Sequence, residues 1–182
     1  MGGRYYVLGF SRKMHLFARL IMLFTDSKAS HCYVRQVDGA AVDYVLEATA
    51  PGVGLTTRSV FLRHGATVVS EYLIDADLAQ LDRAWERTCY ERLGLPYSWL
   101  QIVGDAWVII LREWFGIRRS NPFGQPWADV CSELALYYLL AAQIPGFDKL
   151  DPETVSPQDL LDVIPSLPRW FTQLEEPPPC NS

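Results

Sequence analysis

Apolar and polar positions alternate differently in the two halves of the chain. Arg4 to Phe10 is rich in Tyr and Val and predicts a first strand. Lys13 to Phe24 has helical spacing, with Phe17, Leu20, Ile21 and Phe24 on one face. Ser30 to Val37 and Ala41 to Ala48 are strand-like runs around Asp38-Gly39, a strong hairpin signal. Pro51, Gly52 and Gly54 predict that the segment from Ala50 to Gly65 starts as a loop, and Thr67 to Ile74 reads as another strand. A helix follows, with Leu78, Leu81, Trp85 and Cys89 on its apolar face, Gly94 as its stop and Pro96 beyond. Ser98 opens a second helix that stops at Gly116, and Asn121 to Trp127 is a loop. Asp129 caps a third helix running to about Gln143, and Ser156-Pro157 with Asp159 starts a short fourth through a capping box. Strands lie mainly in the first half and helices in the second, which predicts an α+β fold with a small antiparallel sheet against helices.

At 182 residues the chain fits one domain, expected over residues 1–172, with a Pro-rich flexible tail over 173–182. A hydrophobic fraction of 49% excludes disorder for the body of the chain. The formal charge of −5 gives no global basic footprint, so no nucleic-acid partner is expected. The four cysteines, Cys32, Cys89, Cys131 and Cys180, form no CxxC pair, so zinc-ribbon and thioredoxin patterns are excluded. No disulfide framework is legible, which predicts a reducing compartment. The start MGGRYYVLGF has no apolar run with a cleavage site, so cytoplasmic synthesis without a signal peptide is expected. Export through phage or secretion machinery is the alternative. The apolar runs Leu16–Phe24 and Leu100–Leu111 are too short to span a bilayer and read as core helices. Contact of Leu16–Phe24 with a membrane surface is the alternative for that segment.

Two short segments carry the candidate chemistry. Ser30-His31-Cys32-Tyr33-Val34 puts a histidine at the head of a hairpin strand, and Asp129-Val130-Cys131-Ser132-Glu133-Leu134 puts a cysteine in the first turn of a helix. A helix start points unpaired N–H groups and the positive dipole end at a thiol there, which favours the thiolate. The Cys131 N–H can also donate to an oxyanion. The plain alternative is a core thiol, because Cys131, Leu134, Ala135, Tyr138, Leu139 and Ala142 form one stripe. A three-residue loop starting at Asp38 would place Arg35 opposite Asp43 and His31 opposite Glu47, on one face. A two-residue Asp38-Gly39 loop would turn Glu47 to the other face. Should Glu47 point away, Asp129 is the next carboxylate to consider. His15 and His64 read as surface residues, Cys32 as pointing away from His31, Cys89 as core, Cys180 as an idle thiol in the tail, and Glu71 as exposed. Trp85, Trp99 and Trp107 read as packing residues within helices.

The segments SHCYV, VLEATAPGVGLTT, LGLPYSW and DVCSELALYYL resemble the circularly permuted NlpC-type papain-like cysteine hydrolases, over about residues 4 to 165. In that group the histidine strand comes first and the cysteine helix last. Lecithin:retinol acyltransferase-like proteins share the order more distantly, with a second histidine where this chain has Glu47. The resemblance implies a permuted papain-like fold and a triad of His31, Glu47 and Cys131. It also implies an amide substrate such as a cell-wall peptide, cleaved through an acyl-enzyme without metal or organic cofactor. Acyl transfer, lipid or thioester hydrolysis on the same triad is the second reading, and an idle binding or assembly module is the third. The chain departs from the group in lacking a Gly-Asp-apolar opening of the first strand and in its long apolar Met14–Phe24 segment. Oligomeric state is not legible.

Overall fold

The computed structural model describes residues 3–12, 28–39, 42–49, 51–96 and 130–175. The helices expected over Lys13–Phe24 and Ser98–Gly116, the loop Asn121–Trp127 and Asp129 lie outside them. The described elements are β1 (Arg4–Arg12), β2 (His31–Asp38), β3 (Val42–Thr49), β4 (Gly52–Thr57), α1 (Arg58–Arg63), β5 (Thr67–Ile74), α2 (Leu78–Arg92), α3 (Cys131–Ala141), α4 (Pro157–Val163) and β6 (Phe171–Gln173). The strands form one antiparallel sheet in the order β4-β3-β2-β1-β5-β6. The fold is α+β, a small antiparallel sheet packed with helices.

Strand alternation divides the sheet's side chains between two faces. Tyr6, Leu8, Phe10, Cys32, Val34, Leu46 and Ala48 pack against Leu81 and Trp85 of α2 and the Leu134–Tyr138 stripe of α3 in the main core. The opposite face carries a smaller cluster of Tyr33, Val45, Phe61 and Ala66, beside the buried polar residues Ser11, His31, Glu47 and Glu71. Among the described residues no helix is long and apolar enough to cross a membrane.

Several expected elements form for the expected local reasons. Asp77 accepts from the Gln80 N–H at the start of α2, and Gly94, at φ +83°, follows its end. Ser156 and Asp159 complete the capping box of α4, with Pro157 at its first position. Three expectations are corrected. The segment after Pro51 forms β4 and α1 at once: Gly52 adopts φ +132° against the Leu95 carbonyl, where a Cβ would stand 2.4 Å from its oxygen. Glycine there lets the edge strand dock on the end of α2. The hairpin register is two residues from the expected one: Val37 lies opposite Asp43, and Asp38 opposite Val42. Asp38 stays in the ladder because it pairs with Arg4 of β1 and accepts from its guanidinium. A shift of two preserves which face each residue occupies. The N-cap of α3 is Val130, without a side-chain cap bond; Ser132 instead anchors the helix start by donating to the Val155 carbonyl at 2.7 Å. The last strand, β6, ends at Gln173, and its Phe171 is buried against Phe147.

Candidate active site

His31 is the first residue of β2 and is buried. Glu47, near the end of β3, is buried as well and shares its face. Their side chains meet at 2.8 Å between Nε2 and Oε2. With Val34 opposite Leu46, Glu47 stands abreast of Tyr33 and reaches His31 diagonally. Arg35 reaches Asp43 in the same diagonal way, through bonds of 2.6 and 2.9 Å. The expected contacts therefore form in a register that had not been expected.

Cys131 is the first residue of α3, 7% exposed, with Leu134, Ala135, Tyr138, Leu139 and Ala142 buried along the same stripe. The expected core stripe is present, and the thiol at its head is perturbed. The Cys131 thiol is held well below the usual range, first by a hydrogen bond from the Cys32 thiol. Burial opposes this. The charge and hydrogen bond of the His31 imidazole, and the Cys32 backbone N–H, act in the same direction as Cys32. Burial in turn pushes the Cys32 thiol well up, and the hydrogen bond and negative charge of Cys131 reinforce the shift. Within the pair Cys32 is the hydrogen-bond donor, and Cys131 is the thiol whose anionic form is favoured.

His31 and Glu47 meet directly, and the His31 imidazole acts on the Cys131 thiol. Cys32 does point to the helix-packed face, as alternation requires, but α3 delivers the Cys131 sulfur to that face at the strand head, where both His31 and Cys32 act on it. Sequence reasoning missed Cys32 because alternation reports faces and is blind to which helix end lies over them. It also misplaced Glu71, which is 6% exposed and ion-paired with Arg35 and Arg58. His64 is exposed after α1, as expected. Cys89 lies part-buried on α2, where burial pushes its thiol up to about 11. Among the described residues no group of three His, Cys, Asp or Glu side chains is arranged to hold a metal ion.

No protein-family model matches the chain, and no curated protein matches it.

Proposed function

We propose that the protein is a cysteine hydrolase of permuted papain-like type, with Cys131 as nucleophile, His31 as acid–base and Glu47 as the group that orients His31. The observation that carries this reading is the meeting of these three side chains from β2, β3 and the start of α3, with the thiol turned toward its anionic form by its neighbours. The chain order, histidine strand, glutamate strand and cysteine helix, supports the permuted arrangement.

In this mechanism the Cys131 thiolate attacks a carbonyl carbon, and the Cys131 N–H at the helix start donates to the developing oxyanion. Nε2 of His31 is engaged by Glu47, so proton exchange at the reacting centre falls to Nδ1. The imidazolium gives its proton to the leaving group, and an acyl group remains on sulfur. His31 then takes a proton from water, hydroxide adds to the acyl carbon, and the thiolate departs. Glu47 fixes the ring and stabilises the imidazolium, as the third member of a triad does. The bond cleaved is an amide, in a cell-wall peptide or a related substrate.

Trapping of the acyl-enzyme tests this. The protein is incubated with cell-wall peptide fragments and separately with lipid extract, quenched in acid, and mapped by mass spectrometry. A peptide-derived acyl mass on Cys131 supports the amidase. A fatty-acyl mass there moves the assignment to acyl transfer or lipid hydrolysis, and no adduct with either opposes both. One observation favours an idle core cysteine instead: Cys131 is nearly inaccessible and its helix stripe is wholly buried.

A further inference from the structure

The described residues hold a second buried charge cluster, on the same sheet face as His31. Glu71 of β5 accepts from the Tyr33 hydroxyl at 2.6 Å, from Arg58 of α1, and from Arg35 at 3.1 Å. Arg35 in turn holds Asp43 through two bonds. Every partner of Glu71 comes from a different element or is itself tied down. A buried ion cluster of this kind adds little net stability over apolar packing, and its attested use is to impose one geometry.

Two relationships connect that geometry to the imidazole. Tyr33 lies on the His31 face, and its ring covers Gly9 so closely that a Cβ there would stand 2.2 Å from Cζ. Tyr33 and Phe61 sit 4.6 Å apart, and each ring centroid lies 6.5 Å from that of His31, at interplanar angles of 29° and 27°. The wall beside His31 is therefore a ring pair, and one ring is tethered by its hydroxyl to a carboxylate that two arginines hold.

We propose that Glu71 is a positioning residue: by holding the Tyr33 hydroxyl it fixes the Tyr33–Phe61 pair, and through that pair the plane of the His31 ring against Glu47 and Cys131. The consequence for reactivity rests on the cysteine hydrolase reading; the placement of the ring does not.

The test uses Tyr33→Phe, which keeps the ring and removes the tether, and Glu71→Asp, which keeps the charge for both arginines and withdraws it from Tyr33. Leu81→Ala, on the opposite face of the sheet, controls for lost stability alone. His31 imidazole resonances are followed by NMR, and Cys131 alkylation by iodoacetamide is timed at pH 6. Both test variants are expected to shift or broaden the His31 resonances and to slow alkylation about three- to tenfold, as weaker support of the thiolate by the imidazole requires. The double variant is expected to do no more than either single one, because both cut one link. Leu81→Ala is expected to lower the melting temperature and leave both readouts unchanged. Wild-type His31 resonances in Tyr33→Phe, or in Glu71→Asp, would overturn the proposal whatever the melting temperatures do. Should either fail to fold, Phe61→Leu removes the second ring, and unchanged His31 resonances there would overturn it equally. If wild-type Cys131 itself reacts no faster than Cys89 at pH 6, the hydrolase reading fails, while the resonances still decide the placement of the ring.

Discussion

Glu47 meets the His31 imidazole at 2.8 Å from a diagonal position across the β2–β3 ladder. A glutamate has the reach for that diagonal, and both groups are withdrawn from water. The contact orients the ring and commits Nε2.

Glu47→Gln is expected to keep the fold and lower turnover by about 10- to 100-fold, the equivalent of ~1.5–3 kcal/mol for a hydrogen bond to a charged group. Cys131→Ala should retain almost none. Adding Glu47→Gln to His31→Ala should cost little more, because triad members act as a unit. Steady-state kinetics on the substrate identified by trapping measures all three. Equal losses in Glu47→Gln and Cys131→Ala would contradict the orienting role.

Cys32 acts on Cys131 through both its thiol and its backbone N–H. Cys32→Ala removes only the thiol donor and should slow Cys131 alkylation at pH 6 by about tenfold. Cys32→Ser supplies a hydroxyl donor and should recover most of the rate. A wild-type rate in Cys32→Ala would mean that the side chain contributes nothing.

Gly9 is where the Tyr33 ring crosses β1. Gly9→Ala forces the ring aside and is expected to cost ~1–3 kcal/mol, as other overpacked sites do. Gly54 has open space around an added Cβ, so Gly54→Ala should not lower stability. Thermal denaturation of the two variants compares them directly.

Glu71→Gln leaves Arg35 and Arg58 without their shared buried counter-ion. Breaking one side of such a cluster is expected to cost ~3–5 kcal/mol in urea denaturation. Combining it with Arg58→Met should recover part of that loss. No recovery would show that the cluster is not the source of the destabilisation.

Much of this arrangement was legible from periodicity. Alternation in Ser30–Val37 and Ala41–Ala48 puts His31 and Glu47 on one face only with an odd-length loop, which the sequence left open against a two-residue Asp38-Gly39 turn, while the helical spacing after Cys131 put the thiol at the head of a buried stripe. The exact pairing was not legible. A slip of two residues leaves every face unchanged, and Arg35 can reach Asp43 in either register. Glu71 was misread because a lone acid in a strand looks solvated. Its partners Arg35, Arg58 and Tyr33 come from separate segments that only the sheet order brings together. β4 was hidden because Gly52 and Gly54 read as loop residues, while the approach of Leu95 that requires Gly52 is a tertiary contact.

The pH dependence of Cys131 alkylation in the native protein tests the central claim most directly. A thiol held below its usual range stays anionic as pH falls, so Cys131 should react from mildly acidic pH upward, with its rise well below the free-thiol value of ~8.5. The same shift stabilises the fold above that value, a contribution lost as pH falls through the lowered one. Cys89, pushed up to about 11, should stay silent until alkaline pH. Mass spectrometry of each thiol from pH 5 to 9 is expected to show Cys131 labelled first and fastest, with its rise moved toward ~8.5 in His31→Ala. A Cys131 that labels no faster than Cys89 at pH 6, or only after denaturation, would contradict the account and leave a core cysteine.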